Sequence, residues 1–186
     1  ARLDALAPEV ERFPLDLGVA DDAALDRLLA GADLCLHAAW YAVPGKYLTA
    51  PENLDCLAMS LRVIRSCVRV GVPHVAGIGS CAEYDLSAGE LGEHTPLQPS
   101  TLYAACKAST FLIGRQLAAS ANMTFTWCRL FYLYGPFEPP RRLVPDLAAN
   151  LLAGQPVAVT HGRQVRDFLH IADAAAGIVA AAESDV

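Results

Sequence analysis

Residues 52–80 read ENLDCLAMSLRVIRSCVRV, then GVP, then HVAGIGS. In the first nineteen residues, apolar positions recur at spacings of three and four, and Arg62, Arg65 and Arg69 share the opposite side. That is an amphipathic helix. Gly71 and Pro73 stop it, one by permitting a left-handed cap and the other by withholding an N–H. The seven residues that follow are of strand length, apolar without alternation, and end on Ser80. A continuous apolar run of that length is what a strand covered on both faces requires.

The same unit recurs outward in both directions. Upstream, DDAALDRLLA at 21–30 has an acidic start and helical spacing, Gly31 can end it, and DLCLHAA at 33–39 is a second short apolar run. Downstream, 85–101 is rich in Gly, Pro, Ser and acids and reads as a loop, and 102–119 is helical. Residues 124–134, TFTWCRLFYLY, are β-branched and aromatic and read as one strand. A helix is expected over 143–153, a short strand over 156–160 and an Ala-rich helix over 171–183. Strands alternating with helices specify an α/β fold with a parallel sheet.

Composition bounds the function. The chain has 186 residues, 54% hydrophobic and 18% charged, enough for a packed core. The net charge of −6 argues against nucleic acid or an anionic membrane as partner. No apolar stretch reaches the roughly 18–20 residues of a membrane span. Six scattered cysteines without a CxxC pair read as reduced thiols, and hence a cytoplasmic protein. His74, His94 and His161 have no partners at metal-ligand spacing, so no metal site is expected.

The chemistry concentrates in Tyr103-Ala-Ala-Cys-Lys107. Positions i and i+4 share a helix face, so phenol and ammonium converge. A nearby cation lowers a phenol's pKa from its ordinary value of about 10, which suits a proton-exchanging tyrosine. Ser80 closes a strand, where open α/β sheets place ligand-binding groups, and a hydroxyl there can donate to a substrate oxygen.

With these residues in view, the chain resembles the extended short-chain dehydrogenases/reductases, in their NAD-dependent epimerase/dehydratase branch. Gly79-Ser80-Cys81-Ala82-Glu83-Tyr84-Asp85 resembles that family's active-site strand end. Glu93-x-x-Pro96-x-x-Pro99 leading to Tyr103-x-x-x-Lys107 resembles its approach to the catalytic helix. Arg129-Leu-Phe-Tyr-Leu-Tyr-Gly135-Pro136 and Gly162-x-x-x-Arg166-Asp167-Phe168-x-His170-x-x-Asp173 are similar to two later segments. Asp16-Leu17 and His37-Ala38-Ala39 match stretches along the cofactor's edge, completing six stretches in the family's order.

The resemblance implies a Rossmann-like doubly wound parallel sheet over 1–186, incomplete at both ends, with 135–170 contributing to the substrate-binding part. It implies a catalytic set of Ser80, Tyr103 and Lys107, with Tyr103 as general acid/base and Lys107 on the nicotinamide ribose. The cofactor is NAD or NADP, contacted by Asp16, Leu17, His37, Ala38, Ala39, Tyr103 and Lys107. Ser80, Cys81, Tyr132 and Arg166 face the substrate, Arg166 at the diphosphate of a nucleotide sugar. The helices over 52–70 and 102–119, apolar on more than one face, imply a homodimer.

Some residues keep two readings. His37 is either a satisfied strand-end histidine or part of the cofactor edge, Asp16 an adenine contact or an exposed turn acid, Trp40 and Tyr41 a wall of the site or core packing. The family's glycine loop is missing and would precede Ala1, so the chain reads as an interior piece of a longer protein. Cys81 and Ala82 stand where the family's 4,6-dehydratases carry an Asp-Glu pair, which leaves epimerisation or 4-ketoreduction. Tyr132 replaces the family's usual Asn and narrows the substrate pocket. A reductase of a non-sugar carbonyl and a catalytically silent dinucleotide-binding protein are the alternatives.

Overall fold

A computed structural model describes residues 9–184, and the span 1–186 read from the sequence extends past these at both ends. Helix α1 (Asp22–Leu29) starts at Asp21, whose carboxylate accepts from Ala24 N–H. Strand β1 (Leu34–His37) follows, then α2 (Glu52–Val70), capped by Gly71 at φ 76°. Strand β2 (His74–Ser80) runs into a 3-10 turn over Cys81–Glu83. Helix α3 (Leu102–Ser120) is capped by Thr101, whose hydroxyl accepts from Ala104 N–H at 3.2 Å. Strand β3 (Thr124–Leu130), β4 (Tyr132–Tyr134), α4 (Leu143–Leu152), β5 (Phe168–His170) and α5 (Ile171–Glu183) complete the order.

β1, β2 and β3 form a three-stranded parallel sheet in that order. Ser80 is in register with Leu130, so its hydroxyl stands at the sheet's carboxyl edge. Leu25, Val63, Ile64, Cys67, Val72, Val75 and Met123 make the core between α1, α2 and the sheet. On the α2 surface, Arg62 and Arg69 reach back to Asp22 and Asp26 on α1, which accounts for the arginine stripe. The fold is the expected Rossmann-like parallel sheet with helices.

One feature of β2 decides how closely β3 approaches. The Trp127 ring lies flat across Gly77 and Gly79, and a Cβ added at either would collide with it. Glycine is required at both for this close approach.

Two expectations are corrected and one strand is added. Residues 124–134 are not one strand: β2 ends at Ser80, so after Leu130 the chain loses its partner. It turns at Phe131 and β4 pairs in parallel with β5, Tyr132 N–H donating to Asp167 O at 3.1 Å. Residues 156–160 form no strand, because Pro156 has no N–H and no described strand runs beside them. Phe168–His170, unassigned in the sequence, is a strand because β4 supplies its ladder.

Candidate active site

The loop after β1 is tied down from below by α2. Asn53, fully buried, donates to Tyr47 O at 2.6 Å and Ala50 O at 2.8 Å, and accepts from Trp40 Nε1 at 2.9 Å. Tyr41 N–H donates to Cys56 Sγ at 3.2 Å. Tyr47 lines the cleft where Tyr103 stands and Trp40 packs on the same phenol ring, with ring centroids 4.8 and 6.2 Å from the Tyr103 ring and near-perpendicular planes. Tyr103 N–H donates to Leu48 O at 3.1 Å, locking the first turn of α3 to this loop.

Ser80, Tyr103, Tyr47, Glu138 and Arg142 line one cleft of about 430 Å³. The Ser80 and Tyr103 hydroxyls open into the same cleft, where the Ser80 hydroxyl favours the ionised phenol. Lys107, one turn further along α3, is buried at 4% exposure. Its ammonium donates to Ile78 O at 2.7 Å and lies 3.8 Å from the Trp40 ring centroid, a cation–π contact. The helix therefore places Tyr103 in the Ser80 cleft and Lys107 against Ile78, two residues before Ser80 on β2.

The expected lowering of the Tyr103 pKa is not found. Burial pushes the phenol up, the Ser80 hydroxyl opposes that, and Tyr47 and Glu83 add to it. The lysine does not offset the desolvation, because its ammonium is directed at Ile78 O and the Trp40 face. Burial also brings Lys107 down to about 8, against an opposing pull from the Glu83 carboxylate.

His37 is turned into the protein. Its Nε2 is 2.8 Å from Ser60 Oγ, and Ser60 gives its one proton to Cys56 O at 2.7 Å. Nε2 must then carry the donated proton, and the low pKa of the buried ring keeps it neutral at pH 7. Burial, reinforced by the Lys107 charge, holds it down at about 4. Asp16 closes an exposed turn, accepting Gly18 N–H at 2.8 Å, with Leu17 beside it against the core. Ala38 and Ala39 are exposed at the carboxyl end of β1.

Two further clefts adjoin the first. Cys81, Tyr132, Arg166 and Asp167 line one of about 450 Å³. Tyr132, Glu138, Arg141, Arg142, Arg166 and Phe168 line another of about 660 Å³. Tyr132 and Arg166 are common to these two, and Glu138 and Arg142 link the larger to the Tyr103 cleft. Arg166 donates to Val165 O at 2.7 Å and its guanidinium lies 5.3 Å from the Tyr132 ring, so it is not spent on Asp167. Burial raises the Cys81 thiol, leaving it neutral.

Sequence reasoning passed over Glu83. It is fully buried, accepts Ser80 N–H at 2.7 Å and pairs with Arg129 Nε at 2.8 Å. The signal was available: an arginine inside an otherwise apolar strand needs a buried counter-charge. Among the described residues, no group of three His, Cys, Asp or Glu is placed to hold a metal, and no helix is long and apolar enough to cross a membrane.

Comparison with known proteins puts these features in context. The chain is 28% identical over 165 residues to a dTDP-glucose 4,6-dehydratase of Streptomyces antibioticus, covering 86% of this chain and 49% of that protein. A UDP-N-acetylglucosamine 4-epimerase from Methanobrevibacter ruminantium superposes with a TM-score of 0.79 at 29% identity, over 94% of this chain and 58% of that one. A double mutant of the dTDP-glucose 4,6-dehydratase DesIV from Streptomyces venezuelae, crystallised with NAD, superposes at 0.75 and 26% identity, over 95% and 55%. The chain thus spans about half the length of the curated relatives it matches. A family model matches residues 3–186, across the sheet, the Tyr103 cleft and the arginine-lined clefts alike, and this chain belongs to the NAD dependent epimerase/dehydratase family.

Proposed function

We propose that the protein carrying this chain is an NAD(P)-dependent nucleotide-sugar epimerase or 4-ketoreductase, with Ser80, Tyr103 and Lys107 as its catalytic residues. The observation that carries this reading is the cleft holding the Ser80–Tyr103 hydroxyl pair, which joins through Glu138 and Arg142 to a cleft lined by three arginines. A sugar reaches the hydroxyls while its diphosphate lies among Arg141, Arg142 and Arg166, whose guanidinium forks suit phosphate oxygens. The structural relatives include one solved with NAD and a sugar-nucleotide epimerase, which fits the same reading.

The buried Lys107 ammonium beside Tyr103 offers the donor that a nicotinamide ribose needs, and the small side chains of Ala38 and Ala39 let a dinucleotide approach the end of β1. When bound, the nicotinamide cofactor exchanges hydride with the sugar carbon. The Ser80 hydroxyl donates to the substrate oxygen and holds it against Tyr103. A phenol kept above its ordinary value is protonated at neutral pH. In the direction of ketone reduction it gives that proton to the oxygen as the C=O bond becomes C–OH. Tyr132, 5.7 Å from Phe168, shapes the passage between the substrate clefts, and Cys81 lines it as a neutral thiol. With Cys81 and Ala82 at the dehydratase acid positions, water elimination lacks its two carboxylates there.

Exposed Leu54 on α2 and Leu112 and Ile113 on α3 support a homodimer through these helices. The experiment that decides the function uses the full-length protein. Tyr103→Phe is expected to lower kcat by about 10²–10⁴-fold while folding normally. UDP or dTDP is expected to raise the melting temperature of both forms. Unchanged activity in the variant marks a silent protein, and turnover without nucleotide-diphosphate binding marks a non-sugar reductase.

A further inference from the structure

Directly behind Ser80 lies a charge the proposed chemistry does not use. Glu83 is fully buried and its carboxylate is saturated: Oε1 accepts Ser80 N–H at 2.7 Å, both oxygens are 3.1 Å from Trp127 Nε1, and Oε2 accepts Arg129 Nε at 2.8 Å. Among the described residues Arg129 has no other carboxylate partner; its guanidinium lies over the Phe111 ring at 4.3 Å and the Tyr84 ring at 4.9 Å. The Glu83 carbonyl meanwhile accepts Gln98 N–H at 3.0 Å, fastening the loop that leads into α3. A buried ion pair adds little net stability over an apolar pair of the same shape. Its placement under the tip of β2 therefore calls for a local role.

We infer that Glu83 is a positioning residue for the Ser80/Tyr103/Lys107 site: its carboxylate fixes the Ser80 backbone so that the hydroxyl opens into the Tyr103 cleft, and it supplies the buried negative charge that offsets the Lys107 ammonium. This rests on the function proposed above. The two jobs are separable. The first needs an oxygen at the right reach from Ser80 N–H; the second needs a negative charge.

Lys107 is faced by few titrating groups. His37, at the end of β1, is held down at about 4; burial raises Cys81, Cys106 and Tyr103; the Cys56 thiol on α2 and the Tyr47 phenol in the loop complete the set, with Arg129 behind Glu83. Trp127, which donates to Glu83, has its ring centroid 6.0 Å from the Lys107 ammonium, so the two charges share one buried neighbour; burial holds Lys107 at about 8 and Glu83 pulls upward. Trp40 stacks on its ammonium and reports its charge.

The test follows tryptophan emission of the full-length protein from about pH 6 to 10, with Lys107→Met identifying the transition that belongs to Lys107. Wild type is expected to show that transition near pH 8. Glu83→Gln keeps a carbonyl for Ser80 N–H and is expected to move the midpoint down by about half a unit or more. Glu83→Asp keeps the charge but shortens the reach. It is expected to leave the midpoint in place and lower kcat about tenfold with KM unchanged. An unshifted midpoint in folded Glu83→Gln, or full kcat in Glu83→Asp, overturns the inference. Should Glu83→Gln not fold, Glu83→Asp decides alone. The emission titration needs no substrate, so a silent Tyr103→Phe result would sink the proposed reaction without deciding Glu83.

Discussion

The two halves of the site are built differently. The hydroxyl side, from β1 through β3, stands on buried, hydrogen-bonded polar groups. Asn53, Ser60, Glu83 and Thr110 are at 0% exposure and Lys107 at 4%. The arginine side, from Tyr132 to His170, has a two-stranded ladder, an α4 with no buried residue, and Val165 and Leu152 each 90% exposed. Phe137 and Arg141 adopt left-handed backbone there, at φ 69° and 71°. Groups that touch reacting atoms need placement to within a fraction of an ångström, which only packed elements supply. Recognition of a long polar substrate tolerates an open surface and is easily varied on it.

The contrast can be broken from its rigid side first. Gly77→Ala drives a methyl into the Trp127 ring and is expected to cost about 3 kcal/mol or more, read by denaturant unfolding. A tolerated alanine would show that the β2–β3 packing has slack.

Protonation of His37 is expected to come next. Its folded value, about 4, lies below the ordinary 6.5, so the unfolded chain binds the proton more readily. The contribution is full above pH 6.5 and is lost as pH falls toward 4, amounting to about 3 kcal/mol. Stability measured across that window should lose this dependence in His37→Gln. The same slope in the variant would mean another group carries it.

On the open side, if the proposed function holds, Arg166→Ala is expected to raise KM for the proposed nucleotide sugar about tenfold with kcat nearly kept, because such a contact would be made equally in the ground and transition states. A fall in kcat instead would extend the rigid site into this half. The smallest effect belongs to Gly154→Ala. Nothing lies near the added methyl and only the positive φ of 67° resists it, for about 1 kcal/mol in the same unfolding measurement. A penalty matching that of Gly77 would erase the distinction.

What could be read from residues follows the same division. The helix 52–70 and strand 74–80 are legible to the residue, since apolar period and Gly/Pro stops act locally. So is the Tyr103/Lys107 pair, because helix geometry alone brings i and i+4 together. The break at Phe131 and the strand at 168–170 were not legible, because a ladder depends on a partner some forty residues away. The direction of the Tyr103 shift was misjudged because spacing reveals a neighbouring charge but not how much water is excluded.

Sequence alone determined the alternation of elements, the parallel sheet and the list of groups at its carboxyl edge, all of which arise from short-range periodicity and chain direction. Only the tertiary structure decided where the charges rest: Lys107 under Trp40, His37 against Ser60, Glu83 between Ser80 and Arg129. Those choices turn on burial and hydrogen-bond reach between distant segments, quantities that come into being only when the segments pack.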